Sequence, residues 1–193
     1  MRNVCVFCGS SAGTGDRYAG VAARVGANLA GAGLGVVFGG GGTGMMGALA
    51  DGALAAGGRV IGIIPRALEQ REVAHRGLTE LRVVRTMHER KQAMAETADA
   101  FVMLPGGFGT FEEFCEVVTW AQLGMHRKPC VLVNALGYFD PMIAMFERGF
   151  TEGFIRADYR GIVVVADGAD GLLAALQSYE APQVERWLTG EQT

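Results

Sequence analysis

Two glycine-rich stretches and one charged segment carry the residue types from which this chain could build a reactive site. Pro105-Gly106-Gly107-Phe108-Gly109-Thr110-Phe111-Glu112-Glu113 leaves an apolar run, Ala100 to Leu104, and opens a helical period with a buried stripe of Phe111, Phe114, Cys115 and Val118. Glycines between a strand and a helix present successive backbone N–H groups to a phosphate or another anion. Thr110 at an N-cap with Glu113 three residues on also makes a capping box, which explains that pair but not the glycines. Gly39-Gly40-Gly41-Gly42-Thr43-Gly44 stands in the same position after the run Gly35 to Phe38, as either an anion or nucleotide loop or a point of tight packing. Its Gly42, Gly44 and Gly47 satisfy G-x-G-x-x-G. The motif nevertheless follows the second strand, and the next strand ends in Ile64-Pro65 without the acidic residue that holds a ribose, which argues against NAD. Finally, Thr86 and Glu89 cap a helix whose first turns hold Arg90 and Lys91, read either as a solvated face or as cations that meet a bound phosphate.

The elements that must position these residues alternate along the chain. Apolar runs at Asn3 to Cys8, Gly35 to Phe38, Arg59 to Ile64, Leu81 to Val84, Ala100 to Leu104, Cys130 to Asn134 and Ile162 to Val165 read as strands. Helical periods fill the gaps at Asp16 to Ala32, Met45 to Ala56, Met87 to Thr97, Phe111 to Leu123, Pro141 to Gly149 and Ala169 to Tyr179. This predicts one α/β domain over 1–193: a Rossmann-like, doubly wound, mainly parallel sheet of about seven strands, with a surface helix and tail over 180–193. Ligands then belong in the loops beyond the carboxyl ends of the strands. Those loops offer Ser10, then Gly41, Gly42, Thr43 and Gly44, and then Gly106 as candidate substrate-binding residues.

Composition removes several function classes. Half of the 193 residues are hydrophobic and 19% are charged, which excludes a disordered polyelectrolyte. A net charge of −3 without a basic block argues against a nucleic-acid polymer as partner. There is no apolar run of membrane-spanning length, and Val4 to Cys8 is too short for a signal-peptide core, so a cytoplasmic location away from membranes is expected. Thirty glycines imply a backbone that comes close to something. Cys5 and Cys8 form C-x-x-C, but three steps along a strand send them to opposite faces, as buried apolar side chains rather than a redox or zinc pair.

The Pro105 to Glu113 stretch resembles the P-G-G-x-G-T-x-x-E signature of the LONELY GUY (LOG) family. Cys8-Gly9-Ser10-Ser11, Gly39 to Gly44, Met87 to Lys91 and Thr119-Trp120-Ala121-Gln122-Leu123-Gly124 are similar to the family's pattern as well. The resemblance implies a homodimer that hydrolyses the N-glycosidic bond of cytokinin riboside 5′-monophosphates, and often of AMP, with a site that two chains could share. It further implies that Arg90 and Glu113 are the catalytic pair and that Lys91, Gly107, Phe108, Gly109, Thr110, Glu72 and Thr119 bind substrate. By residue type alone Glu72 is a solvated acid in the loop from Pro65 to Thr79, and Thr119 an ordinary helix threonine. The apolar segment Val117 to Met125, with Trp120, is the expected interface helix.

That chemistry suits the residues. Breaking a nucleoside bond builds positive charge on the ribose, which a carboxylate stabilises while taking a proton from water. Arginine is too weak an acid to protonate the base, so Arg90 is assigned to holding and orienting. Neither a cofactor nor a metal is expected: His75, His88 and His126 lack ligand spacing. The lysine decarboxylase label often given to the family requires a Schiff-base lysine, and only Lys91 and Lys128 are present, neither well placed for that role. A nucleotide-sensing module without turnover is the competing reading, and Glu113 is the residue that such a module would not need.

Overall fold

In a computed structural model that describes residues 1–69 and 73–184, seven strands form one parallel sheet. They are β1 (Asn3–Phe7), β2 (Gly35–Phe38), β3 (Val60–Pro65), β4 (Glu80–Val84), β5 (Ala100–Met103), β6 (Cys130–Val133) and β7 (Val163–Ala166). The spatial order is β4-β3-β2-β1-β5-β6-β7, with each neighbouring pair parallel. β1, β2, β3, β5 and β6 are apolar runs with both faces covered, as an interior parallel sheet requires. β4 lies at an edge and alternates half-buried and exposed residues, with Glu80 paired to both Arg59 and Arg82.

The helices are α1 (Arg17–Gly31), α2 (Gly44–Ala55), a single turn α3 (Arg66–Glu69), α4 (Met87–Thr97), α5 (Phe108–Gln122), α6 (Asp140–Thr151) and α7 (Leu172–Gln177). One core gathers Val4, Val6 and Cys8 with side chains of α1, α2 and α7; the other gathers Cys5 and Phe7 with side chains of α4, α5 and α6. Cys5 and Cys8 therefore do face opposite layers, and burial, followed by the charge of Glu113, pushes both thiols well above the ordinary cysteine value. Both stay protonated. Part of the glycine content is spent inside the fold: a Cβ on Gly26 would sit 2.9 Å from the Ala53 nitrogen, so the α1–α2 contact needs its absence.

Two expectations change. α5 starts at Phe108 with Gly107 as its N-cap, so Thr110 lies buried within the first turn and makes no capping box with Glu113. The buried stripe of α5 runs through Thr110, Phe114, Val117 and Ala121, which leaves Cys115 exposed. Phe111 and Val118 of the expected stripe still pack against the core. The expected tail helix is not seen over 180–184, and 185–193 lie outside the described residues, as does Glu72. Among the described residues no helix is long and apolar enough to cross a membrane.

Candidate active site

The sheet order reverses between β1 and β5: the strands reached next in sequence from β1 lie on one side of it, and those from β5 onward on the other. Loops that leave these two strands diverge and open a crevice at their carboxyl ends, where α/β folds place ligands. A cleft of about 360 Å³ occupies that position, lined by Ser10 after β1, Gly39 after β2, Gly107 to Thr110 after β5, and Arg90 and Glu113 from the helices.

Arg90 is brought in by α4. The Thr86 hydroxyl accepts from the Glu89 backbone N–H at 3.1 Å, and the Glu89 carboxylate accepts from the Arg85 N–H at 2.8 Å, so the capping predicted for this helix start is present. The next residue, Arg90, then points inward and is only 5% exposed. Its Nη2 donates to the Gly39 carbonyl at 3.3 Å and lies 4.0 Å from Glu113 Oε1. A Cβ on Gly39 would collide with this guanidinium, which gives that glycine its reason. Among the described residues the buried Arg90 Nε has no hydrogen-bond partner, an omission that proteins tolerate chiefly at functional sites.

Glu113, with an 11% exposed side chain, projects from the second turn of α5 onto the cleft floor. Above it stands the N-terminus of α5. Its N-cap, Gly107, has no side chain to bond the first turn, and among the described residues no backbone carbonyl accepts from Phe108, Gly109 or Thr110. Among the described residues a Cβ on Gly107 or Gly109 would meet nothing within 4 Å. Phe108 stands 91% exposed at the cleft mouth, its ring edge-on to Phe111.

The structure thus gathers Ser10, Arg90, Gly107, Phe108, Gly109, Thr110 and Glu113 in one place. Other candidates stand apart. The Gly42 N–H donates to the Val73 carbonyl at 2.8 Å, Gly41 bridges Ala74, the Thr43 hydroxyl donates to the Ser10 carbonyl at 3.4 Å, and Gly44, at φ 60°, packs under Ser10. Gly106 packs against Thr110 and Gly9. Lys91, one residue beyond Arg90, turns to the outside of α4, where Nζ donates to Glu112 and, at 2.9 Å, to Glu116. Burial alone would lower its pKa, but the bonds and charges of the two carboxylates prevail and raise it. The Thr119 hydroxyl donates to the Cys115 carbonyl within its own helix. Sequence reading missed the apolar wall of Met46, Met87, Met94 and Leu68, because no local pattern marks side chains that converge from different helices.

Residues 46–176 match the family described as "Possible lysine decarboxylase". The chain is 47% identical over 178 residues to a cytokinin riboside 5′-monophosphate phosphoribohydrolase of Rhodococcoides fascians, covering 92% of this chain and 90% of that protein. It is 44% identical over 185 residues to the enzyme of that name, LOG, of Oryza sativa subsp. japonica, covering 96% and 76%. Among solved structures, the molybdenum cofactor carrier protein of Chlamydomonas reinhardtii superposes with a TM-score of 0.70 at 22% identity over 93% of this chain and 98% of that one, a likeness of fold. The family model, matched over 46–176, and the relatives at 44% and 47% identity along most of its length place this chain in the LOG family.

Proposed function

We propose that the protein hydrolyses the N-glycosidic bond of purine riboside 5′-monophosphates, cytokinin riboside 5′-monophosphates and AMP among them, to free base and ribose 5-phosphate. The observation that carries this reading is a buried Arg90–Glu113 pair beneath a helix N-terminus whose N-cap is a glycine. The first-turn N–H groups of α5 and its dipole receive the phosphate. Glu113 stands five residues along from Phe108, roughly 7.5 Å of helix rise, and side chains slant back toward the N-terminus, which leaves room for one ribose between phosphate and carboxylate. As the C1′–N bond breaks, Glu113 stabilises the ribose cation and takes a proton from the attacking water; the hydroxyl stays on C1′ and the proton ends on the departing base. Arg90, bonded to the Gly39 carbonyl, fixes the carboxylate from the side. Phe108 offers its exposed ring to the base.

The decarboxylase description finds no support in the residues present. A pyridoxal cofactor needs a lysine in the cleft, whereas Lys91 is held by Glu112 and Glu116 and Lys128 donates to the Ala95 carbonyl at 2.8 Å. Lys91, which the family pattern assigns to substrate, shares the outer α4–α5 face with Glu116, Trp120 and Met125, and Thr119, assigned likewise, is exposed on α5 one turn beyond Glu116. We assign that face to a homodimer contact through which they would serve a shared site.

The test is a release assay on AMP, its N6-isopentenyl derivative and the two unphosphorylated ribosides. The nucleotides should yield base and ribose 5-phosphate without added metal, far faster than the ribosides. Equal rates would remove the phosphate anchor, and nucleotide binding without base release would make the protein a sensor.

A further inference from the structure

The turn after β6 is built in an unusual way for a surface loop. Leu136 adopts the left-handed conformation at φ 56° although the residue is 55% exposed, so burial does not compensate the strain. Gly137 follows at φ 71°, with an Asp140 carboxylate oxygen 2.8 Å from where its Cβ would stand. The Asn134 side chain clamps the turn from below, donating to Asp140 Oδ1 at 2.7 Å and accepting from the Phe139 N–H at 2.9 Å. What this turn delivers is Tyr138. Its ring is held edge-on by Tyr18 of α1, with centroids 5.7 Å apart, and by Phe139, at 4.9 Å, and its hydroxyl donates to the Gly106 carbonyl at 2.6 Å.

In a trans peptide the C=O and the following N–H point in opposite directions. A bond that holds the Gly106 carbonyl outward toward Tyr138 therefore aims the Gly107 N–H the other way. Gly107 lines the cleft and Gly106 does not. The hold is needed because this peptide joins two glycines, and Gly107 has open space around it, so nothing in its own side chain would fix the plane. We infer that Tyr138 is a positioning residue for the phosphate, acting through the Gly106–Gly107 peptide to present the Gly107 N–H. The inference rests on the proposed phosphate site.

Tyr138→Phe removes the hydroxyl and keeps the ring contacts, so the protein should fold with a nearly unchanged Tm. KM for AMP should rise about three- to ten-fold, the worth of one hydrogen bond, with kcat within about two-fold of the parent. Inhibition by ribose 5-phosphate should weaken by the same factor, while slow cleavage of adenosine, which has no phosphate, stays as it was. An unchanged KM and inhibition constant would overturn the inference, and so would an equal loss on AMP and adenosine. Should the unaltered protein cleave no nucleotide, the proposed function fails on that result alone. Calorimetric binding of ribose 5-phosphate then decides the role of Tyr138: weaker binding by the variant upholds it, and equal binding, or no binding by either protein, ends it.

Discussion

Gly39 to Gly44 and Pro105 to Gly109 are near-twins as sequence and hold equivalent places, one between β2 and α2, the other between β5 and α5. Inside the fold they do opposite work. In the first, the space beside three of the glycines is already taken: Arg90 fills it at Gly39, the Val73 carbonyl at Gly42 and the Ser10 carbonyl at Gly44. Even the helix that follows spends its first donors internally, since Met45 and Met46 donate to the Ser11 and Gly9 carbonyls at 3.4 and 3.3 Å. In the second, Gly106 is enclosed, but Gly107 and Gly109 face open space with negative φ, where alanine would fit the empty protein. Glycines that the protein's own atoms require are structural. Glycines that nothing in the protein requires make sense through something that arrives, and these two stand at the mouth of the cleft.

The sharpest way to test this contrast is at the carboxylate beneath the open loop. Glu113→Gln keeps shape and hydrogen-bonding atoms, so AMP should still bind and the fold should persist, yet turnover should fall by about a hundred-fold or more. Turnover that survives would mean that the open loop serves binding alone. The second test lies at Arg90, where the loops meet, since its guanidinium joins the Gly39 carbonyl to Glu113. Arg90→Lys retains the charge but loses the fork, and kcat should drop at least roughly ten-fold in a folded protein. Parent-like turnover would separate the two loops functionally.

The third test dissociates stability from binding. Gly109→Ala should leave Tm unchanged or raise it slightly, as alanine suits a helix, while KM for AMP rises about ten-fold or more because the methyl group stands where the phosphate would come. Gly44→Ala should do the reverse. At φ 60° and against the Ser10 carbonyl it should cost about 2–3 kcal/mol, lowering Tm by roughly 5–10 °C. Thermal melts and steady-state kinetics on both variants check the pair; matching behaviour of the two glycines would abolish the distinction.

The amino-acid sequence carried the strands and helices, the doubly wound class, the opposite facing of Cys5 and Cys8 and, by resemblance, the family. All of these depend on periods of two and 3.6 residues or on contiguous patterns, which neighbours along the chain decide. The tertiary structure alone decided which glycine loop was already filled, because Arg90, Val73 and Ser10 reach it from other elements. It also decided that Arg90 turns inward while Lys91 turns out to Glu112 and Glu116, a choice about which helix face meets the sheet. The start of α5 at Phe108 rather than Phe111 belongs with these, since Gly107 can serve as N-cap without a side chain and leaves no capping signature to read. So does the hydroxyl of Tyr138 on the Gly106 carbonyl, 32 residues away in sequence. Local propensity sets what each segment becomes, but the position of a donor, an acceptor or a vacant space is settled only when distant segments close on one another.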